Sequence, residues 1–250
     1  MRSLLLIVVS ALALGPSSGK APSERGRTPM PAKLYGTSPS EYPVWVDKRI
    51  AVNPNGTVNR MDLHPAYARA IEEVLQAGSS GDCVDPPAVY ASRVDLQPRG
   101  SLEEAVDTAQ LVMLSRVTGR SYGFYGGEAG QLLRLSPTLI YKGKADHSDY
   151  YTFIPVGDFE LGRVHVCKTD SRFAEPPEIG DRILTFTHPP DSRILDPEDP
   201  GDIIVLHSSG RVSFPKNYRG KETESMRGAE SQARSLLERI AGLSASKVTR

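Results

Sequence analysis

What this sequence has little of narrows it first. Only two cysteines, Cys83 and Cys167, occur in 250 residues, which excludes a scaffold held by several bridges. Charge of neither sign prevails: 30 Lys and Arg meet 30 Asp and Glu. No global field therefore draws the chain to nucleic acid or to an anionic membrane surface. No apolar run reaches the ~20 residues of a spanning helix, which excludes a polytopic membrane protein. A P-loop, a Rossmann glycine pattern and an H-E-x-x-H motif are all missing. No cofactor and no metal are expected on these grounds. Aromatic residues make up 7% of the chain, so the cluster Tyr122, Phe124 and Tyr125 stands out.

The strongest positive signal is at the start. Arg2 gives a positive first segment, Leu4 to Leu14 an apolar run, and Gly15 to Gly19 a stretch of small residues. That is the layout of a secretory signal peptide, here residues 1–21. Small residues suited to cleavage stand at Ala11/Ala13 and at Gly19/Ala21, and the second pair leaves the whole apolar run upstream. Cleavage after Ala21 leaves 28 basic residues against 30 acidic and no membrane span. The expected destination is secreted or periplasmic. In an oxidising compartment Cys83 and Cys167 are an even pair able to bridge, closing a loop of about 84 residues worth about 4–5 kcal/mol. Two separate thiols are the alternative.

Composition divides the rest. Residues 22–60, rich in Pro, Gly, Ser and Asn, read as a flexible linker in which Tyr42 and Val44–Val46 form a short strand or a docking segment. Residues 61–215 read as a β-rich globular domain with helices at its N-terminal side. His64-Pro65 starts a helix that Gly78 stops, and Ser101 caps a second with Glu103 and Glu104 in its first turn. Apolar runs follow around 111–117, 133–141, 151–154, 159–166, 183–186, 203–206 and 212–214. Pro137 marks an edge or a bulge. Residues 216–250 carry an amphipathic helix through Met226, Ala229, Ala233, Leu236, Leu237, Ile240 and Leu243. The zero charge is a sum: Asp146 to Asp202 holds thirteen acidic and five basic residues, and Arg211 to Arg250 nine basic and four acidic.

The β region resembles netrin-like domains, the OB-type barrels of tissue inhibitors of metalloproteinases. The residues carrying the resemblance are Ala109–Val117, Leu133–Leu135, Ile140-Tyr141-Lys142-Gly143, Tyr151–Pro155 and Gly180–Leu184, within about 109–187. The resemblance implies a mostly β (α+β) fold: a small OB-like, netrin-like antiparallel barrel with a helix before it and a C-terminal amphipathic helix packed on it. The inhibitors act through a Cys at the mature N-terminus, and neither cleavage site here leaves one. Their inhibitory residues are therefore not carried over.

Three groupings bear on chemistry. Gly119-Arg120-Ser121-Tyr122-Gly123 fits the G-x-S-x-G elbow, with Asp202 and His207 downstream to complete a serine hydrolase, but residues 124–130 are Gly-rich and lead to a strand where the elbow needs a helix. His165 and Cys167 share one face of a strand, as a nucleophile–base pair or half of a zinc site would. Asp196–Asp202 holds four carboxylates without EF-hand spacing. Tyr122, Phe124 and Tyr125 are the better binding residues, on a Gly-rich loop offered to a protein or carbohydrate partner. The expected function is thus a secreted, non-catalytic binding or interaction module.

Overall fold

In the computed structural model, residues 29–36, 42–78, 83–86, 101–169, 173, 175–187, 193–195, 203–214 and 231–248 are described, and all structural statements concern these. The signal segment and Asp196–Asp202 lie outside them. The elements in chain order are β1 (Lys33–Leu34), β2 (Trp45–Asp47), α1 (Lys48–Ala51), α2 (Pro65–Ala77) and α3 (Leu102–Thr108). They continue with β3 (Leu111–Tyr125), β4 (Glu128–Lys142), β5 (Tyr150–Ile154), β6 (Gly157–Leu161) and β7 (Val164–Lys168). Last come β8 (Arg182–Thr187), β9 (Ile194–Leu195), β10 (Ile203–Leu206), β11 (Val212–Ser213) and α4 (Ser231–Val248).

The fold is mostly β with few helices. Its main sheet runs β11-β10-β8-β3-β4-β5-β9, with β2 on β3 and β1 on β2; β6 and β7 form a separate hairpin. This order has two ends, so the sheet is open and does not close into a barrel. Its centre is the β3–β4 hairpin, paired from Val112↔Lys142 to Tyr125↔Glu128. Two glycines turn it, Gly126 at φ 56° and Gly127 at φ 89°, a conformation that costs other residues steric energy. The sequence suggested a strand ending near Val117 and then a loop. Instead β3 runs on to Tyr125, bent by register shifts after Val112, Leu114 and Val117 that absorb Pro137, paired with Ser115.

Two other expectations change. The apolar stretch 159–166 is two strands, because its alternation slips phase across Gly162-Arg163, the turn of the β6–β7 hairpin. Within the expected linker, β2 pairs with the far end of β3 (Trp45↔Tyr125), Trp45 is fully buried, and β2 continues into α1. This segment is held by partners some 80 residues away in sequence, which local composition does not encode.

Helices cover one sheet face. Ser101 Oγ accepts the Glu104 amide at 3.2 Å and caps α3. Leu102 and Val106 of α3 and Leu236 and Ile240 of α4 pack with Val112, Leu114, Leu184 and Ile204. The alternate residues Leu111, Met113, Ile183, Ile203 and Val205 enter a second core on the other face. That double burial explains why β10 is apolar throughout.

Candidate functional site

Helix α2 begins at His64, whose Nδ1 accepts the Ala66 amide at 3.3 Å, and lies over the tip of the β3–β4 hairpin. Ile71 and Val74 enter a third core with Phe124, Ala129, Phe159 and Val166. On the neighbouring stripe stand Ala66, Ala70 and Ala77, and their short side chains leave a cavity of about 320 Å³. Its other walls are Phe124, Gly127, Val84 and Pro86. Arg69 and Glu73, both exposed, stand at its margin.

The disulfide builds the far wall. Cys83 and Cys167 are bridged, with Cα atoms 5.7 Å apart. This lays residues 83–86 beside β7: the Val84 amide donates to His165 O at 2.9 Å and the Cys167 amide to Val84 O at 3.0 Å. Lys168 Nζ adds a bond to Pro86 O at 3.1 Å. The pocket is therefore walled by a helix, a hairpin tip and a covalently tethered strap.

Tyr122, Phe124 and Tyr125 lie on β3, not on a loop. Strand alternation divides them: Tyr122 and Phe124 face the core beneath α2, and Tyr125 faces the opposite side. Phe124 lines the groove and is itself buried at 3% exposure. Tyr122 stacks on Phe159 at 5.4 Å between centroids, with Lys48 Nζ 5.9 Å from the Tyr122 centroid and 5.5 Å from that of Phe159. Tyr125 stacks on Phe153 at 5.3 Å, in the cluster that holds Trp45.

The chemical candidates fall elsewhere. Ser121 Oγ is buried with no hydrogen-bond partner, so no base adjoins it among the described residues. Cys167 is consumed by the disulfide, which leaves no thiolate to attack or to ligate. His165 Nε2 instead meets Asp158 Oδ1 across the β6–β7 hairpin at 2.6 Å, a bond that raises the imidazole pKa. Among the described residues no three His, Cys, Asp or Glu side chains converge as metal ligands.

His207 directly follows β10, two strands across the sheet from the β3 that carries Ser121. Its Nδ1 lies 3.0 Å from Asp181 Oδ2 and its Nε2 2.8 Å from Ser213 Oγ. Asp181 is 2% exposed. Burial pushes its carboxyl upward, but the Glu178 and Ser208 amides and His207 outweigh that and hold it below the usual carboxylate range. The sequence pointed to His207 but paired it with Ser121. Asp181 and Ser213 carried no signal, since their spacing from His207 matches no motif and only the β8–β10–β11 ladder joins them.

No protein-family model matches the chain, and no curated protein matches it.

Proposed function

We propose that this chain is a secreted or periplasmic binding module that works by contact at the α2 groove, without catalysis there, and that its partner is a protein. The observation that supports this is the groove: an apolar floor of about 320 Å³ left by three alanines, bordered by the charges of Arg69 and Glu73. An apolar floor within a charged margin suits one or two anchoring side chains of a partner, the anatomy of an interface hot spot. Carbohydrate is the second partner class considered. A sugar stacks on an open aromatic face, whereas Tyr122 has Phe159 stacked on it and the Lys48 and Arg120 cations over its ring, and Tyr125 has one face taken by Phe153. An OB-like, netrin-like scaffold belongs to the same proposal. It rests on the residue pattern within 109–187 and on the long bent β3–β4 hairpin.

The test is selection of displayed peptides on the folded, oxidised protein. Enriched peptides should carry an aromatic or aliphatic anchor, shift the NMR signals of Ala70, Val74 and Phe124, and bind Ala70→Trp at least tenfold more weakly. Equal binding to Ala70→Trp, or shifts that map to another face, would reject the groove. Peptides rejected in favour of oligosaccharides on a glycan array would turn the reading to carbohydrate.

A further inference from the structure

The Asp181–His207–Ser213 array has the order of contacts by which a serine hydroxyl is activated. A carboxylate only accepts, so the bond to Asp181 Oδ2 at 3.0 Å places a proton on His207 Nδ1. The Nε2 lone pair then faces Ser213 Oγ at 2.8 Å, within reach for proton transfer. Asp181 is locked in turn: Oδ1 accepts the Ser208 amide at 2.7 Å and Oδ2 the Glu178 amide at 3.0 Å. The spacing of Asp181, His207 and Ser213 along the chain matches no motif, but such arrays are recognised by geometry and not by position.

Ser213 is also placed where a substrate can reach it. It is half-buried on β11, the strand that ends the described sheet. The His207 amide donates to Arg211 O at 2.9 Å, so ladder alternation turns the Val212 N–H toward the outer edge, next to Ser213. That N–H is oriented to meet the oxygen of a carbonyl arriving from the edge. Glu175 Oε2 lies 3.7 Å from His207 Nε2 and is paired with Arg211, whose charge offsets the carboxylate beside the base.

We propose that Ser213 is a nucleophile with His207 as its general base and Asp181 as the positioning residue, giving the protein an esterase activity toward small, unhindered acyl esters at a site separate from the groove. Ser213 Oγ adds to the ester carbonyl carbon while its proton passes to His207 Nε2. The carbon–alkoxy bond breaks, the alcohol leaves with that proton, and the acyl group stays on Ser213. Water then adds to the acyl carbon, gives one proton to His207, and the Ser213–acyl bond breaks as Oγ recovers it. One ester and one water yield one acid and one alcohol.

The test uses a fluorophosphonate probe on the folded, oxidised full chain, with adducts located by mass spectrometry. Ser213 Oγ should displace fluoride and form one adduct on its own peptide, absent in Ser213→Ala and after denaturation. His207→Gln should slow labelling by at least about 100-fold, the usual share of a general base. Asp181→Asn should lower the maximal labelling rate and leave the half-saturating probe concentration unchanged, whereas mere structural damage would move both. Since His207→Gln also removes a contact of the β10–β11 hairpin, its fold is checked by circular dichroism, and Ser213→Ala, which deletes one oxygen, carries the decision. No adduct on Ser213 in the wild type, an adduct at Ser121 in its place, or an adduct count unchanged in Ser213→Ala would overturn the proposal. So would equal labelling of a folded His207→Gln.

Discussion

At the scale of single residues, the two histidines that reach carboxylates differ in setting, and the difference is testable. The His165 side chain is 43% exposed, and its bond to Asp158 chiefly raises its pKa, with slight burial opposing and the charges of Asp158 and Glu160 adding. A histidine whose pKa is raised by folding favours the folded state below its ordinary value of 6.5, and that contribution disappears as pH climbs through the raised value. The NMR titration midpoint of His165 should therefore lie above that of a free histidine and fall back toward it in Asp158→Asn. A midpoint indifferent to the substitution would mean that the contact does not persist in solution. His207, by contrast, is enclosed between Asp181, Ser213 and Glu175. Of that set the sequence marked only the histidine, because partners drawn from separate segments of the chain leave no spacing to read.

At the scale of elements, helices were the most legible. Ser101 with Glu103 and Glu104, and His64-Pro65 with Gly78, set the ends of α3 and α2 through caps that are local in sequence. Helix α4 was legible from its stripe at threes and fours, and Ala233, Leu236 and Ile240 are the residues it buries. Its docking is reinforced where Arg239 pairs with Glu103, an ion pair that holds the Glu103 carboxyl below its usual range. Both partners are about two-fifths exposed, so the apolar contacts dominate the attachment. Leu236→Ala should accordingly destabilise the protein by about 2–5 kcal/mol, the range for a fully buried leucine, while Arg239→Ala costs under ~1 kcal/mol. Urea unfolding followed by circular dichroism separates them, and equal losses would show α4 to be held by charge. The long β3–β4 hairpin was less legible. Its glycines read as loop from composition, yet Gly123 sits mid-strand, where a Cβ would come within 2.2 Å of Val46 O. There glycine serves the approach of β2, a tertiary demand.

At the scale of the whole molecule, the disulfide ties the segment between α2 and α3 to the β6–β7 hairpin, over a separation of 84 residues. Opening it frees the strap that walls the groove. Reduction, or Cys83→Ala with Cys167→Ala, should cost up to about 4–5 kcal/mol in denaturant unfolding, the loop-entropy figure. It should also speed amide exchange at Val84 and Cys167 more than at β8 or β10. Uniform exchange across all of these would mean that the bridge acts only on the unfolded chain. The bridge is compatible with an extracellular protein, and among the described residues no helix is long and apolar enough to cross a membrane.

By itself the sequence determined the local features: caps, amphipathic stripe, apolar runs, turn glycines and the single possible cysteine pair. These depend on neighbours within a few residues, where composition and spacing carry the physics. Tertiary structure alone decided that the sheet stays open, that Trp45 belongs to the core, that three alanines leave a groove, and that His207 meets Ser213. Each of these joins residues from distant parts of the chain, and the free energy of such contacts lies in burial and hydrogen-bond geometry that no short-range pattern records.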